Sequence, residues 1–192
     1  MRTWFTSDTH FYHRNIIKYC KRPYTTDEEL ATGVISNRSV ERMNADLILR
    51  WNDRVAPDDT VYHLGDFAFG KPEQWQEVLT QLRGHKILII GNHDDEIAVR
   101  KGKCKTPGER ADFFVRMGFD HALSDAVLSL KRTVLLTHVP TQPLPGQAAY
   151  NLCGHVHNEW AKFGPHINVG VDVRNYQPVL LEELLSLRNP TL

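Results

Sequence analysis

Seven side chains that are able to bind metal ions fall in five short clusters, and each cluster directly follows a run of residues typical of a buried β-strand. In open α/β sheets, such strand ends meet at one edge of the sheet. Side chains two residues apart on an extended chain point to the same side, so each of the two closely spaced pairs would share one small volume. The pattern therefore predicts a layered α/β fold with a metal site at a sheet edge. The seven residues are Asp8, His10, Asp66, Asn92, His138, His155 and His157.

Short runs rich in β-branched and aromatic residues predict six strands. Between the first strands, apolar residues recur at three- and four-residue steps, which predicts helices around Met43, Trp75 and Phe114. Pro72 and Gly84 are expected to mark the start and the end of the second of these helices. The predicted strands are Arg2–Ser7, Thr60–Leu64, Lys86–Ile90, Thr133–Leu136, Tyr150–Cys153 and Ile167–Val173, the predicted terminal helix is Leu180–Arg188, and the predicted loops are Lys101–Arg110 and Thr141–Gly146.

The order of these elements indicates the fold class. Alternating strands and helices favour parallel strands with helices between them, whereas the strands after Thr133 follow one another without clear helices and favour a more antiparallel sheet. Two mixed β-sheets packed face to face and flanked by helices account for both halves. With 192 residues, the chain is predicted to form a single domain, 1–192.

Composition argues against several classes of protein. Lys plus Arg and Asp plus Glu both number 23, so no bulk charge attracts the chain to nucleic acid or to a membrane. Three cysteines without CxxC spacing favour reduced thiols over a disulfide framework or a zinc knuckle. No apolar run reaches the roughly 18–20 residues of a membrane span, and a strand follows Met1 without room for a signal peptide. We therefore expect a cytoplasmic protein, and the sequence carries no signal of its oligomeric state.

The ligand types narrow the choice of metal. Imidazole, carboxylate and amide oxygen without thiolate suit Mn²⁺, Fe, Zn²⁺, Ni²⁺ or Co²⁺, of which we favour Mn²⁺. A carboxylate can bridge two ions, and Asp66 is the central carboxylate of the set. Two divalent ions carry four positive charges, of which Asp8, Asp66 and a bridging hydroxide would cancel three. The remaining charge, which the neutral side chain of Asn92 preserves, favours the binding of a phosphoryl group.

In this order, the five clusters resemble the pattern of the calcineurin-like metallophosphoesterases: DxH, GD, GNH followed by an acidic residue, a single His, and GHxH, over residues 8–157. The resemblance implies a four-layer αββα sandwich with a binuclear centre and a metal-bridging hydroxide as the nucleophile. It also implies that Asp66 is shared by the two ions. One ion would be held by Asp8, His10, Asp66 and His157, and the other by Asp66, Asn92, His138 and His155.

The resemblance gives His93 a different role, because the histidine of GNH does not ligate in this family. It faces the substrate and donates a hydrogen bond or a proton to the leaving oxygen, which suits an imidazole near neutral pH. The protein Ser/Thr phosphatases of the family extend GD with an Asp that orients this histidine and an Arg that grips phosphate. Phe69 and Gly70 stand at those positions, which argues against a phosphoprotein phosphatase. The residue that orients His93 stays open, with Asp94 as a candidate.

Polar residues beside the clusters are candidates for supporting roles. His13, Arg14 and Asn15 follow the first cluster and are expected at the rim of the site, where they are candidates for substrate binding. His63 is out of phase with Asp66 along its strand and is expected to be a buried structural residue.

A second set follows the last cluster. Asn168, Gly170 and Asp172 are candidates for orienting the histidines of GHxH, because metal-bound imidazoles usually donate their other N–H to a neighbouring acceptor.

The expected activity is metal-dependent hydrolysis of phosphate esters by in-line attack, without a Ser or Cys nucleophile. The chain is near the minimal size for this architecture, so an open cleft is expected and diesters are favoured over monoesters. The expected substrate is a small phosphate ester or a nucleotide, and nucleic acid is an alternative that the charge balance does not support. Two other functions stay open: a catalytically weak metal-binding scaffold that serves as a protein-interaction module, and a nuclease subunit.

Overall fold

The computed structural model of the protein describes residues 1–142, 144 and 146–187. Its elements are β1 (Thr3–Thr6), α1 (Arg14–Tyr19), α2 (Asp27–Thr32), α3 (Asn37–Arg54), β2 (Thr60–His63), α4 (Pro72–Gln81), β3 (His85–Ile89), α5 (Asn92–Gly102), α6 (Pro107–Met117), β4 (His121–Leu123), β5 (Ala126–Ser129), β6 (Thr133–Leu136), β7 (Tyr150–Cys153), β8 (Lys162–Phe163), β9 (His166–Asn168), a 3-10 helix (Val171–Val173), β10 (Val179–Leu180) and α7 (Leu181–Leu185).

The described strands form two mixed five-stranded sheets. In the first sheet, with the order β10-β1-β2-β3-β4, β1 to β4 run parallel and β10 is antiparallel to β1. The second sheet has the order β5-β6-β7-β9-β8, with the parallel pairs β6–β7 and β7–β9 at its centre and an antiparallel strand at each edge. The second sheet thus has two antiparallel pairs and the first sheet has one, which confirms the expectation of a more antiparallel second sheet. The chain returns from β6 to β7 in parallel although none of the described residues between them is helical.

Two apolar clusters hold the layers together. The larger lies between the first sheet and its helices, where α3 and α4 contribute Met43, Trp51 and Trp75, each at most 2% exposed. The smaller lies between the two sheets and joins Phe5 of β1 to Leu152 of β7. Two mixed sheets with flanking helices confirm the fold class that the order of elements predicted.

The predicted strand Ile167–Val173 is wrong beyond Asn168. The Asn168 side chain accepts a hydrogen bond from the backbone N–H of Gly170 (2.7 Å), which turns the chain out of the sheet. The three residues Val171–Val173 then form the 3-10 helix.

The predicted exposed loop Lys101–Arg110 is wrong at both ends. Helix α5 runs to Gly102, and α6 begins at Pro107 after Thr106, whose hydroxyl accepts a hydrogen bond from the N–H of Glu109 (3.2 Å). Between the two helices, Cys104 is buried. At the other predicted boundaries, Pro143 and Pro145 of the loop Thr141–Gly146 and Arg188 of the predicted terminal helix lie outside the described residues, and α7 ends at Leu185.

Candidate metal centre

The five clusters follow β1, β2, β3, β6 and β7, so both sheets supply candidate ligands. The paired ligands do not lie on extended backbone. Asp8, His10, His155 and His157 all have positive φ angles, from 46° to 71°. The pairs therefore converge through left-handed turns, and the reasoning from an extended chain is wrong in its geometry. Each such residue costs on the order of 1–3 kcal/mol, so the surrounding structure must hold these turns in place.

Backbone hydrogen bonds fix the turns after β1 and β2 to each other. The N–H of Asp8 donates to the carbonyl oxygen of Gly65 (3.0 Å), and the N–H of His10 donates to the carbonyl oxygen of Asp66 (3.1 Å). The parallel ladder of the first sheet thus continues beyond its strands and into the centre.

One group of candidate ligands consists of Asp8, His10 and His157, whose nearest ligand atoms all lie within 4.8 Å of one another. Nε2 of His10 is 4.0 Å from Oδ1 of Asp8 and 3.7 Å from Oδ2 of Asp66. These are the four residues that the family resemblance assigns to one ion.

The surroundings of His10 test whether a metal ion fits this group. His10 is 1% exposed, and neither ring nitrogen has a hydrogen-bond partner in the described part of the chain. Buried polar groups are paired in the large majority of cases. Its Nε2 faces two carboxylates at distances longer than a hydrogen bond. Such distances are expected between two ligand atoms that each lie about 2.0–2.2 Å from the same ion. The donor set and its spacing therefore fit a divalent transition metal.

The second group consists of Asp8, Asp66 and His138, also with ligand atoms within 4.8 Å of one another. Nε2 of His138 lies 3.4 Å from Oδ2 of Asp66. The side-chain oxygen of Asn92 is 3.0 Å from Nε2 of His138 and 3.1 Å from Nδ1 of His155. All seven predicted ligands are thus brought together, with Asp66 next to both groups. Their binding of two ions stays a prediction.

Glycine is required at two positions of the motifs, because neighbouring groups come too close to leave room for a side chain. A Cβ atom at Gly154 would overlap the Ser7 hydroxyl and the carboxylate of Asp8, and one at Gly91 would overlap the carboxylate of Asp66. Because the glycines have no side chain, the N–H of His155 is able to donate to both carboxylate oxygens of Asp8 (3.1 Å each).

The sequence left open whether Asp94 orients the ring of His93. In the structure, the carboxylate of Asp94 has a different role. It is buried and accepts hydrogen bonds from the N–H groups of Asp66 (2.7 Å), Phe67 (3.1 Å) and Gly91 (3.0 Å). Burial and the neighbouring charge of Asp66 raise the pKa of Asp94 to about 7. Asp94 therefore fastens the turn after β2 to the start of α5, and the adjacent N–H of His93 donates to Oδ1 of Asp66 (3.0 Å).

Arg22, which sequence reasoning missed, holds the turn after β1 through its side chain. Its guanidinium is fully buried and forms a bidentate ion pair with Asp172 (2.8 and 3.1 Å). The same group donates to the carbonyl oxygens of Asp8 (2.7 Å) and Thr9 (2.9 Å). Asp172 in turn lies 3.1 Å from Nδ1 of His157. One arginine therefore holds the backbone of one candidate ligand and, through Asp172, the ring of another.

Of the three residues that the sequence named as candidates for orienting the histidines of GHxH, Asn168 and Asp172 contact His157, whereas the N–H of Gly170 donates to the side chain of Asn168. The amide group of Asn168 donates to the carbonyl oxygen of His157 (2.8 Å). Asp172 contacts the ring of the same histidine, and the sulfur of Cys20 also lies within 4.8 Å of both partners. These contacts fix His157, whereas His155 is fixed through its N–H and the side chain of Asn92.

The candidate histidine ligands have strongly shifted pKa values. Burial alone would lower the pKa of His138, but its hydrogen bond to Asp66 and the charge of Asp8 raise it to about 9. Burial opposes protonation of His157 as well, yet Asp172 raises its pKa to about 10. The raised pKa values favour the positively charged form, with a proton on both ring nitrogens, in the chain without metal, and metal binding would release one proton from each ring.

His93 lies at the edge of the centre. Its ring centroid is 5.9 Å from that of His10 and 5.2 Å from that of Phe69. Phe69 thus puts an aromatic ring where the phosphoprotein phosphatases carry an orienting carboxylate. His93 lies close enough to the candidate ligands to face a substrate bound there.

The three residues proposed for substrate binding differ in position. His13 stacks on Phe69 with ring centroids 4.0 Å apart and lies 5.4 Å from the ring of His10. Burial lowers its pKa to about 4, so it offers an uncharged ring at neutral pH. The guanidinium of Arg14 donates to the carbonyl oxygen of Ile35 and to the side chain of Asn37, so it is engaged within the protein. Asn15 is exposed on α1. Substrate binding by this trio stays a prediction.

A cleft of about 730 Å³ opens beside the second ligand group and includes Asn92 and His138 in its lining. Its charged residues are Asp95, Asp125 and Arg110, and Nε of Arg110 is 2.7 Å from Oδ1 of Asp95. Arg110 is therefore paired with one of the two carboxylates of the cleft.

His63 is fully buried, with Nε2 2.9 Å from the hydroxyl of Thr9. Burial lowers its pKa to about 3. The expectation of a structural histidine is confirmed.

Comparison with known proteins identifies the family. The family model described as calcineurin-like phosphoesterase matches residues 1–159, most of the chain and all five clusters. The chain belongs to the calcineurin-like phosphoesterase family. An uncharacterized protein of Methanocaldococcus jannaschii is 31% identical to this phosphoesterase over 198 residues, covering 97% of this chain and 90% of the relative. The Gene 66 protein of Mycobacterium phage L5 is 30% identical over 149 residues, covering 72% of this chain and 63% of that protein.

A solved structure shares the fold of this calcineurin-like phosphoesterase. The crystal structure of a protein of unknown function from Aquifex aeolicus has a TM-score of 0.63 and 23% identity, covering 97% of this chain and 98% of that one. In the described part of the phosphoesterase, no helix is long and apolar enough to cross a bilayer.

Proposed function

We propose that this chain is a binuclear metal-dependent hydrolase of phosphate esters, with diesters favoured over monoesters. The observation that carries the proposal is that Oδ2 of Asp66 lies 3.7 Å from Nε2 of His10 in one ligand group and 3.4 Å from Nε2 of His138 in the other. The ring of His10 is buried between two carboxylates and has no hydrogen-bond partner among the described residues. Membership of the phosphoesterase family supports the same reaction class.

The residues would divide the work as follows. Asp8, His10 and His157 would hold one ion, His138, Asn92 and His155 the other, and Asp66 would contact both. When bound, two divalent ions supply an activated water molecule and neutralise charge on the phosphate. Mn²⁺ is the proposed metal, because the donors are nitrogen and oxygen atoms without thiolate.

His93 would donate a proton from its imidazole to the leaving oxygen. Its backbone is held by the hydrogen bond from its N–H to Asp66, and its ring centroid lies 5.9 Å from that of His10. A general acid of this kind contributes about 10²- to 10⁴-fold to the rate.

The shape and charge of the site support diesters. Asn92 and His155 are exposed, so the centre opens to solvent, and the adjoining cleft of about 730 Å³ leaves room for a second ester group. Phe69 puts a ring beside the centre where a phosphoprotein phosphatase has a carboxylate. The proposed substrates are small phosphate esters, including nucleotides.

The test measures metal content and activity together. Protein purified without chelator is assayed for bound metal and then for hydrolysis of bis-p-nitrophenyl phosphate and p-nitrophenyl phosphate with added Mn²⁺. We expect Asp66→Asn to lose both metal and activity. We expect His93→Ala to keep its metal and to lose activity by at least about 10²-fold.

Exposed residues provide matched controls. Asp58→Asn and His121→Ala make the same chemical changes at exposed positions outside the centre and should leave metal content and activity unchanged. A wild-type protein that binds two ions and hydrolyses neither ester would favour the metal-binding scaffold instead. A marked preference for the monoester would overturn the diester assignment alone.

A further inference from the structure

We propose that an aromatic wall on the His10 side of the centre binds the base of a nucleotide ester while its phosphate lies at the metal centre. The aromatic wall consists of Tyr19, His13 and Phe69. This inference rests on the proposed phosphoesterase function and names the class of substrate.

The three rings form a continuous series that begins at the centre. Phe69 lies 5.6 Å from the ring of His10 and 5.2 Å from that of His93. His13 stacks on Phe69 at 4.0 Å with an interplanar angle of 16°, and Tyr19 meets His13 edge-on at 6.5 Å. A group bound at the centre and extending along this series would meet one ring after another.

The outer end of the wall is open to solvent. Tyr19 is the last residue of α1 and is 67% exposed, whereas the preceding apolar residues Ile16 and Ile17 are buried in the core. The contact of Tyr19 with His13 connects this exposed ring to the centre, which separates it from an isolated surface tyrosine.

The chemistry of the wall favours a flat ring over a second phosphate. Stacking on aromatic side chains contributes to the binding of all nucleobases, because every base has a π-face. The ammonium group of Lys101 donates to the carbonyl oxygen of Gly70, the neighbour of Phe69, so this cation is engaged within the protein and the rings are the groups that a base would meet.

The position of the leaving group in the proposed reaction also favours binding of the base at the aromatic wall. In the proposed function, His93 protonates the leaving oxygen, and its ring contacts Phe69. A leaving nucleoside would therefore emerge next to the wall. The cleft on the His138 side carries Asp95 and Asp125 and is the competing location.

The experiment compares a dinucleoside monophosphate with its doubly abasic analogue, which has the same phosphodiester and no bases. The enzyme is loaded with Mn²⁺, and kcat/KM is measured for wild type, Tyr19→Ala, Tyr19→Phe, Phe163→Ala and Val139→Asp. Val139 lines the competing cleft on the His138 side. Phe163 is the matched control, because it is 63% exposed and its nearest ring is Trp160, outside the centre.

We expect wild type to favour the substrate with bases by at least about fivefold, as stacking on one aromatic side chain provides. Tyr19→Ala should lose most of this preference without changing the rate on the abasic analogue. Tyr19→Phe and Phe163→Ala should keep it.

Three results would overturn the inference. The first is equal kcat/KM for the two substrates in wild type, and the second is an equal loss of kcat/KM on both substrates in Tyr19→Ala. The third is a loss of the preference for bases in Val139→Asp, on the cleft side, but not in Tyr19→Ala. Hydrolysis of bis-p-nitrophenyl phosphate by the same preparation shows that the phosphoesterase function stands when the inference fails. An inactive preparation with its metal bound would overturn both.

Discussion

At the scale of single residues, the least foreseeable feature is the buried guanidinium of Arg22. It makes an ion pair with Asp172, 150 positions later in the chain, and hydrogen bonds to two carbonyl oxygens of the turn that carries Asp8. Breaking a buried ion pair from one side leaves an unpaired charge, which is strongly destabilising. No periodicity or spacing in the sequence marks a partner so distant, whereas Asp172 was found because it follows the last histidine cluster.

Replacing Asp172 by Asn should weaken metal binding by about 10- to 100-fold, because the ring of His157 loses the carboxylate that orients it. Arg22→Lys should have an effect in the same direction, since an ammonium group cannot replace the bidentate fork. Titration calorimetry with Mn²⁺ measures the affinity, and circular dichroism checks the fold.

The control for these variants is Glu96→Gln. It breaks an ion pair with Arg100 (3.8 Å) that is exposed to solvent, whereas the ion pair of Arg22 is buried. Surface pairs contribute little. Unchanged affinity in a folded Asp172→Asn protein would show that Asp172 does not position His157.

The pKa of Glu29 leads to a prediction of how the free energy of unfolding depends on pH. Hydrogen bonds from Ser36, and then from Thr26 and Ser39, lower its pKa to about 2. A pKa lowered in the folded state contributes stability above the unfolded value of about 4.3, and this contribution is lost as the pH falls toward the folded value. The gap in unfolding free energy between wild type and Glu29→Gln should therefore shrink between pH 6 and pH 3.

Urea unfolding at several pH values measures this gap. Glu28→Gln changes an exposed carboxylate in the same helix and should show little dependence of this kind. A gap that stays constant down to pH 3 would contradict the assignment of these hydrogen bonds to the charged carboxylate.

At the scale of elements, the turns after the strands carry the geometry of the centre. Left-handed residues make side chains two apart converge, and the glycines of the motifs let the turns approach one another. The positions of these turns could be predicted from the clusters, but their conformation could not, because it depends on contacts between turns that are far apart in the sequence.

Gly154→Ala should disrupt the contact between the two sheets at the centre. The added Cβ would overlap Ser7 and the carboxylate of Asp8, so we expect a loss of about 1–3 kcal/mol in stability together with weaker metal binding. Thermal unfolding and metal titration measure the two effects.

Gly108→Ala provides the opposite case. Its Cβ would meet nothing within 4 Å, and its backbone is helical, so we expect a gain of about 0.4–1 kcal/mol and unchanged metal binding. Similar losses in both variants would argue that glycine flexibility, and not the overlap at Gly154, decides the result.

Most of the elements that the sequence did not predict are short. Helices α1 and α2 have six residues each, and β8 and β10 have two each, too few for a periodic pattern. Helix α5 begins within the GNH cluster, so its first residues were interpreted as ligands and not as a helix start. Strands β3 and β6 were predicted because each carries three consecutive apolar residues, as expected of a strand in the interior of a sheet.

At the scale of the molecule, the candidate ligands come from both sheets: Asp8 and Asp66 follow strands of the first, and His138, His155 and His157 follow strands of the second. The order of clusters predicted this gathering, since parallel strands end at the same edge. The sequence could not show that Asp8, in addition to Asp66, lies close to both ligand groups, because this depends on how the sheets face each other.

Because the ligands join two sheets, bound metal should stabilise the whole fold. At a free Mn²⁺ concentration of 100 times Kd, the expected gain is about 2.7 kcal/mol per site. Thermal unfolding with Mn²⁺ and with chelator measures the shift. Asp66→Asn should show almost none, and an equal shift in that variant would indicate binding elsewhere.

The hydrogen bonds that join the turns after β1 and β2 have a kinetic consequence. The amide hydrogens of Asp8 and His10 are held by carbonyl oxygens of the turn after β2, so the loops are already ordered when an ion arrives. Uptake of the first ion should then be limited by the loss of its own hydration water and not by any folding step of the polypeptide.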